Sequence, residues 1–221
     1  MICDFKNLLY ICSQMSDLKK TYLFRIVHID NVPHIIKHGI THINSLNSNK
    51  NYVQIGDDSL IGNRNNIAIP NGKHLGEYIP FYFGFRMPML YVIQKGFNDV
   101  QSTKPADIVY CLTNVHEILI NKLPFVFTNG HAVSGFTDFF FKEDVSNINS
   151  ILDKKAINAR YWRNNNDLDL KRRKEAEFLI ESDIPSSAII GWAVFNVQAK
   201  TRMEQHGVKT DKLIIKPDYY F

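Results

Sequence analysis

The sequence predicts a single α+β domain, and three observations predict it. Short runs rich in aromatic and β-branched residues are mixed with short helical runs, without the even strand–helix rhythm of a parallel α/β sheet. The 221 residues are 45% hydrophobic and 12% aromatic, enough to bury one core. No repeat, low-complexity tract or linker divides the chain. Residues 1–20 are read as an N-terminal extension and 21–221 as the domain.

The elements follow in order. Residues 1–20 form the extension or a short helix. TYLFRIV (21–27) has strand composition. DNVPHIIKHG (30–39) is punctuated as a helix, with Asp30 to cap it, Pro33 in the first turn and Gly39 to end it. Residues 41–80 are rich in Asn, Gly and Ser and predict a long ordered loop with one short helix near 57–62. Loops of that length in a compact domain are functional or disordered. MLYVIQ (89–94) and DIVYCL (107–112) predict strands, NVHEILINK (114–122) a short helix and FVFT (125–128) another strand. A helical stretch is expected over 143–159. EAEFLI (175–180) reads equally as strand or helix, as short apolar runs do. AIIGWAVFN (188–196) predicts a strand, 197–206 a helix and KLIIKP (212–217) a last strand.

Composition narrows the function classes. The net charge is +4 and the pI near 8.8, which permits a polyanionic partner without requiring one. Cys3, Cys12 and Cys111 form no CxxC and no even framework, so a reducing compartment is expected. Asp4 and Lys6 interrupt the apolar N-terminal segment and no small-residue cleavage site follows, which argues against a secretory leader. No run approaches bilayer length. A soluble cytoplasmic protein is the expectation. The Walker A and GxGxxG cradles are both absent.

Several passages carry candidate chemistry. HIIKH places His34 and His38 on one helix face, with His28 and His42 nearby, but a zinc site needs a third ligand and the glutamate of HExxH is missing. Surface or capping histidines are the expected reading, and no metal is expected. Arg64 is the only cation between Lys50 and Lys73. It either clamps a phosphate or carbonyl or ties down its own loop. YIPFYFGFRMPMLY (78–91) sets aromatics beside cations, the composition of a base-stacking surface and equally of a core. His131 lies in a Gly- and Asn-flanked turn, within reach of a substrate or simply in a loop. In KRRKEAEFLIES (171–182) four cations precede two glutamates. If EAEFLI is a strand, Glu177 shares a face with Leu179, which would hold a carboxylate partly desolvated. If it is a helix, the segment is an ordinary amphipathic one.

From about residue 20 onward the chain resembles the DarT family, the toxin half of DarT–DarG toxin–antitoxin systems. The resemblance rests on FRIVHIDNVPHIIKHGI, IGDDSLIGNR, GEYIPFYFGFRMPMLY, PFVFTNGHA, EAEFLI and DYYF, occurring in that order. It is closest to the thymidine-modifying branch. The resemblance implies an ADP-ribosyltransferase fold, two packed and mostly antiparallel sheets with an NAD cleft and flanking helices. It also implies a toxin that transfers ADP-ribose from NAD to thymine N3 in single-stranded DNA, releasing nicotinamide and blocking replication. Glu177 and Arg64 match its catalytic positions. Arg25, Ile26, Val27, His34, His42 and Arg64 fall at NAD-binding positions. His131, Arg163, Lys171, Arg172, Arg173, Lys174 and Tyr82 are expected toward DNA, with Tyr78 and Phe85 as further stacking candidates. The implied partners are single-stranded DNA and a DarG-type macrodomain antitoxin, with the chain acting as a monomer. The alternatives are a guanine or protein target, or a non-catalytic single-strand-binding module.

Overall fold

The computed structural model describes residues 16–221. Most of the predicted extension, with Cys3 and Cys12, lies outside the described residues; residues 16–20 are helical. Strand β1 (Tyr22–His28) sends Leu23 and Val27 into one core and Phe24 and Ile26 into another. Apolar residues on both faces make it a central strand.

Helix α1 (Val32–His38) has Pro33 in its first turn and closes at Gly39, whose φ of 80° and N–H bond to Ile35 O form the stop. A side chain at Gly39 would strike the Ile184 carbonyl at 2.0 Å. Asp30 does not cap this helix. Asn31 holds the N-cap position, and its buried amide exchanges two 2.8 Å hydrogen bonds with the main chain of Val53. That exchange satisfies an otherwise orphaned polar side chain and pins the long loop to the sheet.

Helix α2 (Asp58–Arg64) lies where the loop was expected to hold one, and the Asp57 side chain accepts from the N–H groups of Ser59 and Leu60. The aromatic passage then supplies β2 (Ile79–Tyr82), for which no element was predicted. MLYVIQ is not a strand: it lies in helix α3 (Pro88–Lys95). Pro88 opens the helix and Gly96 in the left-handed conformation ends it, while Leu90 and Ile93 bury one face. The stop and start signals, rather than the apolar run between them, decide its type.

Strand β3 (Ile108–Asn114), helix α4 (Val115–Ile120) and strand β4 (Phe125–Thr128) match the reading, and β5 (Phe139–Phe140) adds a short edge. The helical stretch over 143–159 is broken into a 3₁₀ turn, α5 (Ile148–Ile151) and α6 (Lys154–Asn158), the last capped by Asp153. Helix α7 (Leu170–Lys174) occupies the basic run, and EAEFLI resolves as strand β6 (Glu177–Ile180). Strand β7 (Gly191–Val194), helix α8 (Val197–Gln205) and strand β8 (Leu213–Ile215) complete the chain.

The eight strands run in the order β5-β4-β6-β2-β1-β3-β7-β8, antiparallel except for the β7–β8 pair. The expected two sheets are two halves of this one sheet. β1 pairs with β3 through seven residues but with β2 through the single pair Phe24 and Tyr82. The half made of β2, β6, β4 and β5 therefore meets the other half at a narrow seam. One step from that seam, Tyr82 stands opposite Glu177. Among the described residues no helix is long and apolar enough to cross a membrane.

Candidate active site

The two candidate catalytic side chains meet. Glu177 opens β6 and is 0% exposed, and Arg64 ends α2 and is 13% exposed; Nη2 of Arg64 lies 3.0 Å from Oε2 of Glu177. The other carboxylate oxygen, Oε1, accepts a 2.9 Å hydrogen bond from the N–H of Ala132 and lies 3.9 Å from Nε2 of His131. The Glu177 main chain is fixed as well. Its N–H donates to Thr128 Oγ1 at 3.0 Å, and that hydroxyl donates to Gly130 O at 2.6 Å. Two segments distant in sequence from Glu177, the end of α2 and residues 128–132, thus hold its carboxylate in one orientation.

The electrostatics follow from burial. Burial opposes the charge on Arg64, but the Glu177 carboxylate outweighs it and holds the guanidinium above its usual range. Arg64 remains protonated at every working pH. Burial, and then Arg64 and Lys171, hold His131 below the ordinary histidine range against the pull of Glu177. Its ring is neutral at neutral pH. Burial pushes the Glu175 carboxyl up to about 7, with Glu177 adding to the effect and Lys171 and Lys174 opposing it. The Tyr82 hydroxyl is pushed far up by burial and by the two glutamates.

The candidate donor-binding residues are arranged around β1 and α1. Arg25 donates from Nη1 to Pro80 O at 2.8 Å, and its buried Nε has no partner. Ile26 and Val27 bury their side chains in the two cores, and Val27 is 0% exposed. His34 Nε2 contacts Thr41 Oγ1 at 3.2 Å and its ring lies 4.8 Å from that of His38. His42 Nε2 contacts Gly76 O at 2.8 Å. Among the described residues no group of three His, Cys, Asp or Glu is placed to hold a metal.

The expected DNA contacts divide. Arg163 and Lys171 are exposed and have no ion pair among the described residues. Arg172 donates to Asp169 at 2.6 Å and 2.8 Å and to Asn129 at 3.2 Å. Arg173 reaches Asp153, Asp167 and Asp169. Lys174 departs from the expectation: it is 2% exposed and its ammonium donates to Ile157 O and Ala159 O, so it works as an internal tie. Tyr82 and Tyr78 are corrected too. Both are buried and present no ring face to a base, and Phe85 stacks on Tyr219 at 4.0 Å. The core reading of these aromatics prevails because Tyr82 lies in the central strand β2, and Tyr78 and Phe85 pack into the clusters on either end of it.

Sequence reasoning missed Ala132, Thr128 and Glu175. The first acts through its main-chain N–H, which no side-chain pattern reveals. Thr128 closes FVFT, where its hydroxyl looks like ordinary strand composition. Glu175 carried a signal, since a second glutamate two residues before Glu177 is visible in the sequence.

A family model described as ssDNA thymidine ADP-ribosyltransferase, DarT, matches residues 24–221. A DNA ADP-ribosyl transferase of Escherichia coli O127:H6 is 32% identical over 192 residues, covering 85% of this chain and 86% of that protein. One from Thermus sp. 2.9 is 30% identical over 219 residues, 92% of this chain and all of its own length. The structure of Thermus sp. 2.9 DarT in complex with ADP-ribosylated ssDNA superposes with a TM-score of 0.76 at 28% identity, over 91% of this chain and 96% of that one. The same Thermus protein in complex with NAD+ gives 0.72 at 28% identity, over 91% and 98%. A DNA ADP-ribosyl transferase–DNA ADP-ribosyl glycohydrolase fusion protein of Thermosipho africanus is 31% identical over 72% of this chain and 38% of its own length. Fold and site together define an ADP-ribosyltransferase that takes NAD as donor. The chain belongs to the DarT family of single-stranded-DNA thymidine ADP-ribosyltransferases.

Proposed function

We propose that residues 21–221 act as one catalytic domain that transfers ADP-ribose from NAD to N3 of thymine in single-stranded DNA. The observation that carries the reading is the fully buried Glu177, held by the Ala132 N–H on one oxygen and faced by Arg64 on the other. A buried carboxylate has little use in simple binding to a polyanion. It has one beside a ribose that is becoming positively charged.

The bond that breaks joins the nicotinamide nitrogen to ribose C1′, and its electron pair leaves with nicotinamide, which departs neutral. The ribose passes through an oxocarbenium-like state, as in glycoside hydrolysis. Glu177 stabilises that charge and accepts from a ribose hydroxyl through Oε2. Its effect is strengthened because water is excluded around it. Thymine N3 gives up its proton and forms the new bond to C1′. Arg64 is held protonated and cannot take that proton. It instead donates to a thymine carbonyl or to the donor phosphates and stabilises the anionic ring. The neutral His131 ring, 3.9 Å from Glu177, is the group suited to accept the proton.

Arg25 and Ile26, with His34 and His42, line the donor side in this reading, and Val27 packs behind them. His131, Arg163 and Lys171 face the DNA. Arg172 and Arg173 order the loop that delivers it. Watson–Crick pairing engages thymine N3, so a single strand avoids the cost of flipping the base. A DarG-type macrodomain that removes the mark is the proposed partner, in line with the Thermosipho fusion. The chain is proposed to act as a cytoplasmic monomer and to be toxic without that partner. Incubation of thymine-only, guanine-only and mixed single-stranded oligonucleotides with protein and NAD tests the acceptor. ADP-ribosyl mass is expected on thymine-containing strands only. Addition to the guanine-only strand, or to a protein and to no strand, would overturn the thymine assignment.

A further inference from the structure

Beside Lys174 at the end of α7, a pocket of 250 Å³ is lined by Phe85, Arg86, Asn158, Arg160, Lys174 and Asp218, among others. It is smaller than the 300–1,000 Å³ typical of sites for drug-sized ligands, so it suits a small group and not a nucleotide cofactor. Three of the lining residues are cations. Arg86 lies 4.5 Å over the Phe221 ring, and its Nε is buried without a hydrogen-bond partner. Lys174 is buried and spends two of its N–H groups on the Ile157 and Ala159 carbonyls. Arg160 is exposed and begins the loop that runs to α7. Among the described residues none of the three has a carboxylate within 4.0 Å, and Asp218 is the one acidic residue of the lining.

Three cations around a concavity that one carboxylate, Asp218, lines leave a net positive charge, which raises its potential and favours an anion. The strain is visible on Lys174: burial first, and then Arg86, bring its pKa down to about 8. The pocket is also close to the reaction centre. Lys174 precedes Glu177 by three residues, a span of at most about 11 Å even when fully extended.

We propose that this pocket seats one backbone phosphate of the DNA strand next to the target nucleotide, with the Arg86 and Arg160 guanidinium groups donating to its non-bridging oxygens. The proposal rests on the DNA-transferase reading above and goes beyond it by assigning a phosphate subsite to Arg86 and Arg160. A phosphodiester fits the space and offsets part of the positive charge that Asp218 leaves uncompensated. Arginine's planar fork matches two phosphate oxygens at once.

The test uses the full chain and a fluorescent thymine-containing single strand, with binding followed by anisotropy from low to high salt and turnover measured in parallel. Arg160→Gln and Arg86→Gln are each expected to weaken DNA binding about tenfold, the size of one charge-assisted hydrogen bond. Each should lower the slope of log affinity against log salt by about 0.7, the value for one single-strand phosphate contact. KM for NAD should not move. Native-like binding and salt slope in Arg160→Gln, which is exposed and leaves the core intact, would overturn the proposal. A rise in KM for NAD without a change in DNA binding would also overturn it and assign the pocket to a donor phosphate. Binding is read without turnover, so a protein that binds strands but fails to modify them would count against the transferase reading and leave the phosphate site judged on its own.

Discussion

At the scale of single residues, Glu177 has two neighbours of different kinds: a main-chain N–H that fixes its orientation and a guanidinium that faces its free oxygen. Arg64→Lys keeps the charge but removes the planar fork. It should reduce kcat by roughly 10²- to 10³-fold, the range for losing one preorganised donor, with folding preserved; a near-native rate would show that the fork is dispensable. His131 must be neutral to accept a proton and its pKa is held below the ordinary range, so the acidic limb of the pH–rate profile should lie below that of a free histidine. His131→Gln should abolish that limb and lower kcat by about 10²- to 10⁴-fold. Glu175 affects stability instead. Its folded carboxyl titrates near 7 against a usual 4.5, so folding favours its protonated form. That stability is fully present below about pH 4.5 and is lost as pH rises toward and through 7. Glu175→Gln should flatten this part of the stability curve and gain on the order of 3 kcal/mol at most above pH 8, checked by denaturant melts across pH. An unchanged pH dependence would place the carboxyl in water.

At the scale of elements, the basic run 171–174 acts through the loop in front of it. Arg173 ties α7 to Asp153 at the start of α6 and to Asp167 and Asp169 in the loop, while Arg172 reaches across to Asn129. The N–H of His131 also donates to Arg172 O at 2.8 Å. The loop that carries His131 and the loop that precedes Glu177 are therefore held by the same short helix. Arg173→Gln should cost about 1 kcal/mol as an exposed ion-pair network, a fall in Tm of about 2–4 °C, while cleavage by protease within 160–169 becomes markedly faster. Unaltered cleavage would mean that the ion pairs do not order the loop. The same region shows what a sequence can and cannot convey. Arg64, His131 and Glu177 were legible as candidates, and the strand reading of EAEFLI already pointed Glu177 toward the core. Four consecutive cations looked alike in sequence, yet folding buries Lys174, pairs Arg172 and Arg173, and leaves Lys171 exposed. That division depends on Asp153, Asp167 and Asp169 folding back onto α7, a set of contacts with no periodic signature. MLYVIQ has the composition of a strand, but Pro88 and Gly96 flank it as the start and stop of a helix.

At the scale of the whole molecule, the seam between the half-sheets brings the parts together. β1 carries Arg25, β2 carries Tyr82 and β6 carries Glu177, and they are neighbours in space although β6 lies about 150 residues beyond β1. The α+β class and most strands were legible from alternation and turn residues. The sheet order was not, because strand pairing over such separations is set by tertiary packing and leaves no local trace. A net charge of +4 is modest, so DNA binding should rely on a local group of cations and weaken steeply with salt in proportion to the few phosphates engaged. The central claim is that Glu177 catalyses transfer of ADP-ribose from NAD to thymine in a single strand. The measurement that tests it most directly is the intact mass of a thymine-containing single-stranded oligonucleotide after incubation with NAD and either the native chain or Glu177→Ala. One added ADP-ribosyl group per modified base with the native chain, and none with the folded variant, is the predicted result. Equal modification by both proteins would contradict the role of Glu177, and no modification by the native chain would contradict the transfer itself.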